Sequence, residues 1–192
     1  MQLNLYLTFD DGPSSEYTPR LLDLLQQYDI KVSFFVVGRA AEKHPEIIHR
    51  MKEEGHFIGL HSLEHCSAYL MTPHRTKKDF AESLQILRRL DIEPRGYRPP
   101  WGHQTPWSRK EAERQDLEIM LWDVMAEDWR KNTTSEEIAG KLWERVTPES
   151  IICLQDGRCG QAPERMIDAL EIVLPRWIER GYQFKRMDVY HA

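Results

Sequence analysis

Short apolar runs alternate with longer segments of helical periodicity along this sequence, and this alternation restricts the fold more than any other feature. Seven runs have the length and bounding residues of β-strands, at 3–9, 32–37, 56–60, 96–98, 117–122, 151–154 and 183–185. Six segments between them carry apolar residues at helical spacing, at 19–28, 40–54, 76–90, 108–115, 135–146 and 165–180. Strands that alternate with helices form parallel sheets covered by helices. The sequence therefore predicts an α/β fold.

The length of the chain helps to choose between the two common parallel architectures. The 192 residues fit a single domain spanning 1–192, but a complete eightfold barrel typically needs about 250 residues. We therefore predict a distorted or incomplete (β/α) barrel of about seven strands rather than an open doubly wound sheet. In both architectures the functional side chains gather at the carboxyl ends of the strands.

Composition and charge argue against two classes of partner. The chain is 41% hydrophobic and 30% charged, and no apolar run approaches the length that spans a bilayer. The net charge of -5 is spread over interspersed acidic and basic residues, so no basic face is expected to attract nucleic acid. The first nine residues alternate like a strand and lack the features of a signal peptide. We therefore expect no membrane insertion and a cytoplasmic location, or secretion if an export segment has been removed.

Polar residues cluster where the predicted strands end. His61 and His65 are four residues apart, so one helical turn would place both imidazoles on one side with room for a metal. The adjacent Asp10 and Asp11 need a cation, an arginine or water to relieve their repulsion. One aspartate and two histidines form a ligand set with open positions, suited to zinc or to cobalt, nickel and iron. The residues therefore predict one divalent metal ion.

Five segments, in order, resemble the motifs of a known family. They are Thr8-Phe9-Asp10-Asp11-Gly12-Pro13, His61-Ser62-x-x-His65, Arg98-Pro99-Pro100-Trp101-Gly102, Asp128-Trp129 and Leu154-Gln155-Asp156. They resemble the polysaccharide deacetylases, the NodB-homology group of carbohydrate esterase family 4, and the resemblance covers nearly the whole chain. It implies a barrel of the NodB-homology type. It also implies a hydrolase that removes acetyl groups from N-acetylated or O-acetylated carbohydrate, such as chito-oligosaccharide or peptidoglycan fragments.

The resemblance also implies roles for individual residues. The metal ligands would be Asp11, His61 and His65, with zinc as the expected ion and cobalt or nickel as alternatives. Asp10 would be the general base for the metal-bound water that attacks the acetyl carbonyl. Arg98 would orient Asp10, and the backbone N–H of Trp101 would stabilise the oxyanion together with the metal.

Further residues would contact the acetylated sugar. Trp129 would line the sugar groove, because a flat aromatic face suits the C–H face of a pyranose ring. Pro99 would contribute to substrate binding, and Cys153 would take the place of a leucine beside the acetyl methyl group. His103 could point into the site, whereas Trp122 lies in a strand pattern and is interpreted as a core residue.

The last motif departs from the family pattern. Gln155 stands where the family has a histidine that protonates the departing amine, tuned by the aspartate that Asp128 matches. A carboxamide can donate a hydrogen bond but cannot act as an acid near neutral pH. Three alternatives follow. The chain is a working deacetylase in which Asp10 or His103 supplies the proton, or a metal-containing carbohydrate-binding pseudoenzyme. In the third alternative, Gln155 is a deliberate substitution or indicates a changed substrate, such as an ester or a small amide.

Overall fold

The computed structural model describes residues 3–157 and 163–190. These ranges contain eight strands: β1 (Asn4–Asp10), β2 (Ser33–Val36), β3 (Phe57–Leu60), β4 (Gly96–Tyr97), β5 (Glu118–Ile119), β6 (Val124–Met125), β7 (Ile151–Gln155) and β8 (Gln183–Phe184). All pairs are parallel, in the order β5-β4-β3-β2-β1-β7-β6. β8 pairs with the first two residues of β1, and β2 with the last three. Within the described ranges β5 and β6 do not pair with each other, so the predicted incomplete barrel is confirmed.

Within the described ranges, seven α-helices cover the strands. They are α1 (Thr18–Gln27), α2 (Gly38–Lys43), α3 (Pro45–Glu53), α4 (Pro73–Arg89), α5 (Pro106–Arg114), α6 (Ser135–Arg145) and α7 (Pro163–Glu179). In α1, α3, α4 and α5 a proline lies in the first turn, where its missing N–H costs nothing. α6 begins with the capping box that the sequence predicts, in which Thr134 and Glu137 each accept a hydrogen bond from the other's backbone N–H. No helix in the described ranges is long and apolar enough to cross a membrane.

Two predicted elements differ in the structure. The helix predicted at 40–54 is divided into α2 and α3 at His44, because Pro45 cannot continue an existing helix and disfavours a helical residue before it. The strand predicted at 117–122 was wrong in extent. Only Glu118–Ile119 pairs with β4, and residues 120–123 then lead to β6, which was not predicted. A strand of two residues carries too little alternation to be seen in a sequence.

The strands bury two different faces. Along β1, Leu5, Leu7 and Phe9 are fully buried in the main hydrophobic cluster beneath the helices. Burial of each such side chain stabilises the fold by roughly 1.5–3 kcal/mol. The intervening Tyr6 belongs to a smaller cluster that fills the concave side of the sheet. Its other members are Phe35, Phe57, Met120, Ile151 and Met187. At the carboxyl ends of the strands this concave side gives way to polar residues.

Candidate active site

A carboxylate and two imidazoles converge beyond the ends of β1 and β3. Asp11 Oδ1 lies 2.9 Å from Nε2 of His65 and 3.3 Å from Nε2 of His61. One donor atom from each residue can be chosen so that all three lie within 4.8 Å of one another. The two histidines meet through a loop, since residues 61–65 are not helical and Ser62 and His65 have φ of 67° and 52°. The expectation of a helical turn was therefore wrong, although the two rings do come together.

Two neighbouring helices satisfy the backbone of this loop. The carbonyls of Ser62 and Leu63 accept hydrogen bonds from the N–H groups of Gly38 and Arg39 at the start of α2, at 2.9 and 3.0 Å. The Leu63 N–H donates to both carboxylate oxygens of Asp79 on α4, at 3.2 and 3.1 Å. Burial raises the pKa of Asp79 to about 6. The loop thus has fixed partners outside itself, which explains why it need not be helical.

The orientation of His61 fits a cation between these groups. Its Nδ1 lies 2.7 Å from the carbonyl oxygen of Arg98, and a carbonyl only accepts, so Nδ1 carries a proton and donates it. A neutral His61 then turns an Nε2 lone pair toward Asp11, and two acceptors face each other unless a cation or a second proton lies between them. Burial alone would raise the pKa of Asp11, but His61 and His65, when protonated, donate hydrogen bonds that outweigh burial and hold that pKa below its usual range. Two imidazoles and a carboxylate form a donor set typical of zinc.

Arg98 connects Asp10 with the segment between β5 and β6, at the open side of the barrel. Its side chain is completely buried, and Nη1 donates to Asp10 Oδ1 at 2.9 Å and to the hydroxyl of Thr8. Nε and Nη2 donate to the carbonyls of Met120 and Leu121, at 2.9 and 3.0 Å. These two carbonyls belong to the segment that connects β5 with β6. Arg98 therefore fixes one oxygen of Asp10 and offsets its charge, which burial would otherwise make costly.

The other oxygen of Asp10 faces the cavity. Asp10 Oδ2 accepts a hydrogen bond from the thiol of Cys153 at 3.3 Å and lies 4.0 Å from Nε2 of His61. Burial raises the pKa of Cys153 well above its usual value, so the thiol keeps the proton that it donates. Asp10 Oδ2 is thus near the convergent Asp11 and histidine groups and has only a weak donor of its own.

Gln155 and Asp128 form a second buried pair. The backbone N–H of Gln155 donates to Asp128 Oδ2 at 2.9 Å. The side-chain nitrogen of Gln155, placed by its hydrogen-bonding surroundings, donates to Asp128 Oδ1 at 2.6 Å and Oδ2 at 3.1 Å. Burial raises the pKa of Asp128 to about 7 in spite of the backbone hydrogen bond. Gln155 thus donates hydrogen bonds to both carboxylate oxygens of Asp128.

These groups surround one cavity of about 250 Å³. It is lined by Asp10, Asp11, His61, His65, Trp101, Trp122, Met125, Trp129, Cys153 and Gln155. Trp122 and Met125 were not predicted to lie here. Trp122 lies in the strand predicted at 117–122, an interpretation that concealed the bend, and Met125 lies on β6, which was not predicted. One sequence signal could have revealed Trp122: it is a large aromatic residue that follows a strand and precedes other candidate site residues.

Four of the residues to which the sequence analysis gives a role in the site lie outside this lining. Arg98 and Asp128 contact Asp10 and Gln155 from behind. Pro99 is buried, and its carbonyl accepts a hydrogen bond from Gly102 at 2.8 Å. His103 lies beyond Trp101, with Nδ1 2.8 Å from the hydroxyl of Ser67. The structure thus brings the expected metal and base residues together but does not place His103 at the cavity wall.

Backbone strain is concentrated around the cavity. Nine non-glycine residues in the described ranges have positive φ, a conformation that costs free energy for side chains with a Cβ. Five of the nine lie in the site or next to it, and they are Asp11, Ser62, His65, Trp101 and Glu127. Such strain persists where surrounding contacts hold it, and it clusters at functional sites. The loops that carry Asp11, His65 and Trp101 are therefore specialised for position rather than for local stability.

Comparison with known proteins agrees with this geometry. Residues 3–120 match the family model described as polysaccharide deacetylase. The chain belongs to the polysaccharide deacetylase family. Over 93% of its length it is 35% identical to a peptidoglycan-N-acetylglucosamine deacetylase of Bacillus cereus (strain ATCC 14579). The chain spans 64% of the length of that relative.

Two solved structures also resemble this polysaccharide deacetylase. One is the crystal structure of the Bc1960 peptidoglycan N-acetylglucosamine deacetylase in complex with 4-naphthalen-1-yl-N-oxidanyl-benzamide. It has a TM-score of 0.91 and 32% identity, and the match covers 97% of this chain and 86% of that chain. The other is a family 4 acetyl xylan esterase from Clostridium thermocellum in complex with a cobalt ion, with a TM-score of 0.85 and 33% identity. That match covers 96% of this chain and 88% of the esterase.

Proposed function

We propose that this chain is a metal-dependent hydrolase that removes acetyl groups from carbohydrate, and that residues 1–192 form one catalytic domain. The observation that carries the proposal is the convergence of Asp11, His61 and His65 beside the buried Asp10–Arg98 pair, at a cavity that reaches the surface. Membership of the polysaccharide deacetylase family supports acetylated sugar as the substrate class.

Asp11, His61 and His65 would hold one divalent ion, with zinc as the first choice and cobalt or nickel as alternatives. A cobalt ion in the related acetyl xylan esterase supports an ion of this class. When bound, such an ion lowers the pKa of a coordinated water and polarises a carbonyl oxygen.

Asp10 is the proposed general base. Arg98 engages its Oδ1 and offsets its charge, and Oδ2 is left turned toward the cavity. Oδ2 accepts the proton of the attacking water as oxygen bonds to the acetyl carbon. The backbone N–H of Trp101, held in a strained conformation at the cavity edge, is proposed to donate to the developing oxyanion.

Aromatic and small side chains are proposed to place the substrate. Trp129 and Trp122 line the cavity and offer flat faces to a sugar ring. Cys153 lies on the wall beside Asp10, where a small side chain leaves room for the acetyl methyl group. Pro99, buried behind this wall, contributes by fixing the segment between Arg98 and Trp101.

The proton for the leaving group must come from a group other than Gln155. Asp10, once it has accepted a proton from water, can return that proton to the leaving atom as the bond to the acetyl carbon breaks. An alkoxide leaves far more readily than an amide anion. A site without a separate general acid therefore favours O-acetyl over N-acetyl substrates. A carbohydrate-binding pseudoenzyme is the alternative, and the full satisfaction of Asp128 by Gln155 is the observation that favours it.

Acetate release tests the proposal directly. N-acetylglucosamine oligomers and O-acetylated xylo-oligosaccharides are incubated with the chelated protein, with the protein reloaded with zinc or cobalt, and with a loaded Asp10→Asn control. We expect release only from the loaded wild-type protein. Equal release by the chelated protein would refute metal dependence. Binding of the oligomers without any release would establish the pseudoenzyme alternative.

A further inference from the structure

Exposed apolar side chains are concentrated beside His65. Seven large hydrophobic side chains in the described ranges are more than a third exposed, and four of them belong to the segments 66–72 and 100–107. These four are Tyr69, Leu70, Trp101 and Trp107. Exposed apolar side chains gathered in this way mark a site of interaction rather than ordinary surface.

Three rings in this patch form a continuous row, which we call the aromatic ledge: Tyr69, His103 and Trp101. Tyr69 stacks on His103 with centroids 4.4 Å apart and planes at 25°. His103 follows Trp101 at 6.0 Å and 30°. Trp101 lines the cavity and also contacts the ring of His65 at 4.3 Å. The ledge therefore begins at the candidate metal ligands and extends away from the cavity.

Hydrogen bonds within the protein hold the ledge in place. The hydroxyl of Ser67 is 2.8 Å from Nδ1 of His103 and accepts a hydrogen bond from the N–H of Tyr69 at 3.3 Å. The indole N–H of Trp107 donates to the carbonyl of Met71 at 3.1 Å, which ties the two segments together. Yet Tyr69 remains 63% exposed and Trp101 56% exposed. Rings that only stabilised the fold would not need this accessible surface.

We propose that the aromatic ledge binds the sugar residue next to the one that carries the reacting acetyl group. This inference rests on the proposed carbohydrate deacetylase function. The cavity, at about 250 Å³, is smaller than the roughly 300–1,000 Å³ of pockets that enclose whole drug-sized ligands, so an oligosaccharide must continue over the surface. Exposed aromatic rings suit the C–H faces of pyranoses. The preferred substrate is therefore an oligosaccharide rather than a single acetylated sugar.

The test compares acetylated oligosaccharides of one to five units with 4-nitrophenyl acetate, which has no sugar. Tyr69→Ala removes the outer ring, whereas Tyr69→Phe keeps it and Ile178→Ala removes an exposed side chain elsewhere. We expect Tyr69→Ala to raise KM for the longer oligosaccharides by about three- to tenfold. Its kcat, and its activity on the monosaccharide and on 4-nitrophenyl acetate, should stay within twofold of wild type. Tyr69→Phe and Ile178→Ala should match wild type on every substrate.

A KM for Tyr69→Ala that is unchanged, or that rises equally for all chain lengths, would overturn the ledge as a separate subsite. If wild-type protein releases no acetate, the proposed activity fails, but the ledge is still tested by calorimetric titration with N-acetylglucosamine tetramer. Weaker binding by Tyr69→Ala than by Tyr69→Phe then supports the ledge. Equal binding by the two variants, or no binding by wild type, refutes it.

Discussion

Gln155 donates to the carboxylate of Asp128 twice, through its backbone N–H at 2.9 Å and its side-chain amide at 2.6 Å. A buried carboxylate that loses its donors is costly, so this pair is a stable arrangement of its own. The family pattern has a histidine at position 155, which would exchange a proton where glutamine cannot. We therefore propose that glutamine at this position lacks the role of an acid while it keeps Asp128 satisfied.

Gln155→His should restore the missing acid. A general acid accelerates such steps by roughly 10²–10⁴-fold, and an amine needs it more than an alcohol does. We expect acetamide cleavage to rise while ester cleavage changes little, with a new loss of rate at high pH as the histidine loses its proton. Steady-state rates on matched N-acetyl and O-acetyl substrates between pH 5 and 9 provide the measurement.

Gln155→Leu serves as the control, since it removes the amide without adding an acid. It should leave Asp128 without its side-chain donor and should not improve amide cleavage. If the native chain already cleaves acetamides as fast as esters and Gln155→His changes neither rate, another group supplies the proton.

The metal ligands can be tested without any substrate. Replacing Asp11, His61 or His65 by alanine leaves two protein ligands, too few to compete with water and chelators. Elemental analysis after dialysis should find about one divalent ion per wild-type chain and little in the three variants. His103→Ala is the matched control, because this histidine lies outside the cavity lining and should leave the metal content unchanged. Full occupancy in His61→Ala would show that the ligands are assigned wrongly.

Asp10→Asn should separate chemistry from coordination. The asparagine can still accept from Arg98, but it cannot accept a proton from water, so we expect retained metal and a loss of roughly 10²–10⁴-fold in kcat. Metal content and kcat are measured on the same sample. Loss of metal in this variant would mean that Asp10 also coordinates the ion.

Gly157→Ala should weaken metal binding from outside the ligand set. A Cβ at position 157 would overlap the backbone carbonyl of Asp11, which cannot move aside without moving its carboxylate. We expect metal affinity to fall by roughly 10–100-fold, as for other changes that displace a ligand. Gly140→Ala is the control, because its Cβ meets nothing within 4 Å and alanine favours the helix. Competition with a chromogenic chelator gives both affinities, and equal values would contradict the prediction.

Asp79 should make stability depend on pH. Burial raises its pKa from the ordinary 3.8 to about 6, so between these values the folded chain holds a proton that the unfolded chain has lost. The free energy of unfolding therefore falls as pH rises through this window and levels off above it. Asp79→Asn still offers an oxygen to the Leu63 N–H but does not ionise. Relative to wild type, it should gain up to about 3 kcal/mol between pH 4 and 7.

Urea unfolding of the chelated proteins at several pH values measures this difference. Asp29→Asn is the control, because its side chain is 91% exposed and asparagine tolerates the positive φ found there. A difference between Asp79→Asn and wild type that stays constant across pH would contradict the assignment.

Sequence patterns predicted the framework better than the loops. The long strands β1, β2, β3 and β7 carry clear apolar signals, and the order of the polar residues at their ends follows from parallel connectivity. The spacing of His61 and His65 predicted their proximity, but on the assumption of a helical turn where the structure has a loop. The partners that shape their loop are Gly38, Arg39 and Asp79, which are distant in sequence and leave no local periodicity. Trp122 was assigned to the core for a similar reason, because the bend at 120–123 depends on hydrogen bonds from Arg98.

The gap between β5 and β6 has a consequence for association between molecules. A barrel left open normally exposes two strand edges, and a long exposed edge invites pairing with another chain. Here each outer strand has only two paired residues, and the chain passes directly from one to the other through 120–123. Arg98 donates hydrogen bonds to the carbonyls of Met120 and Leu121 in that connection from inside the barrel. The gap between β5 and β6 therefore offers almost no template for edge-to-edge aggregation.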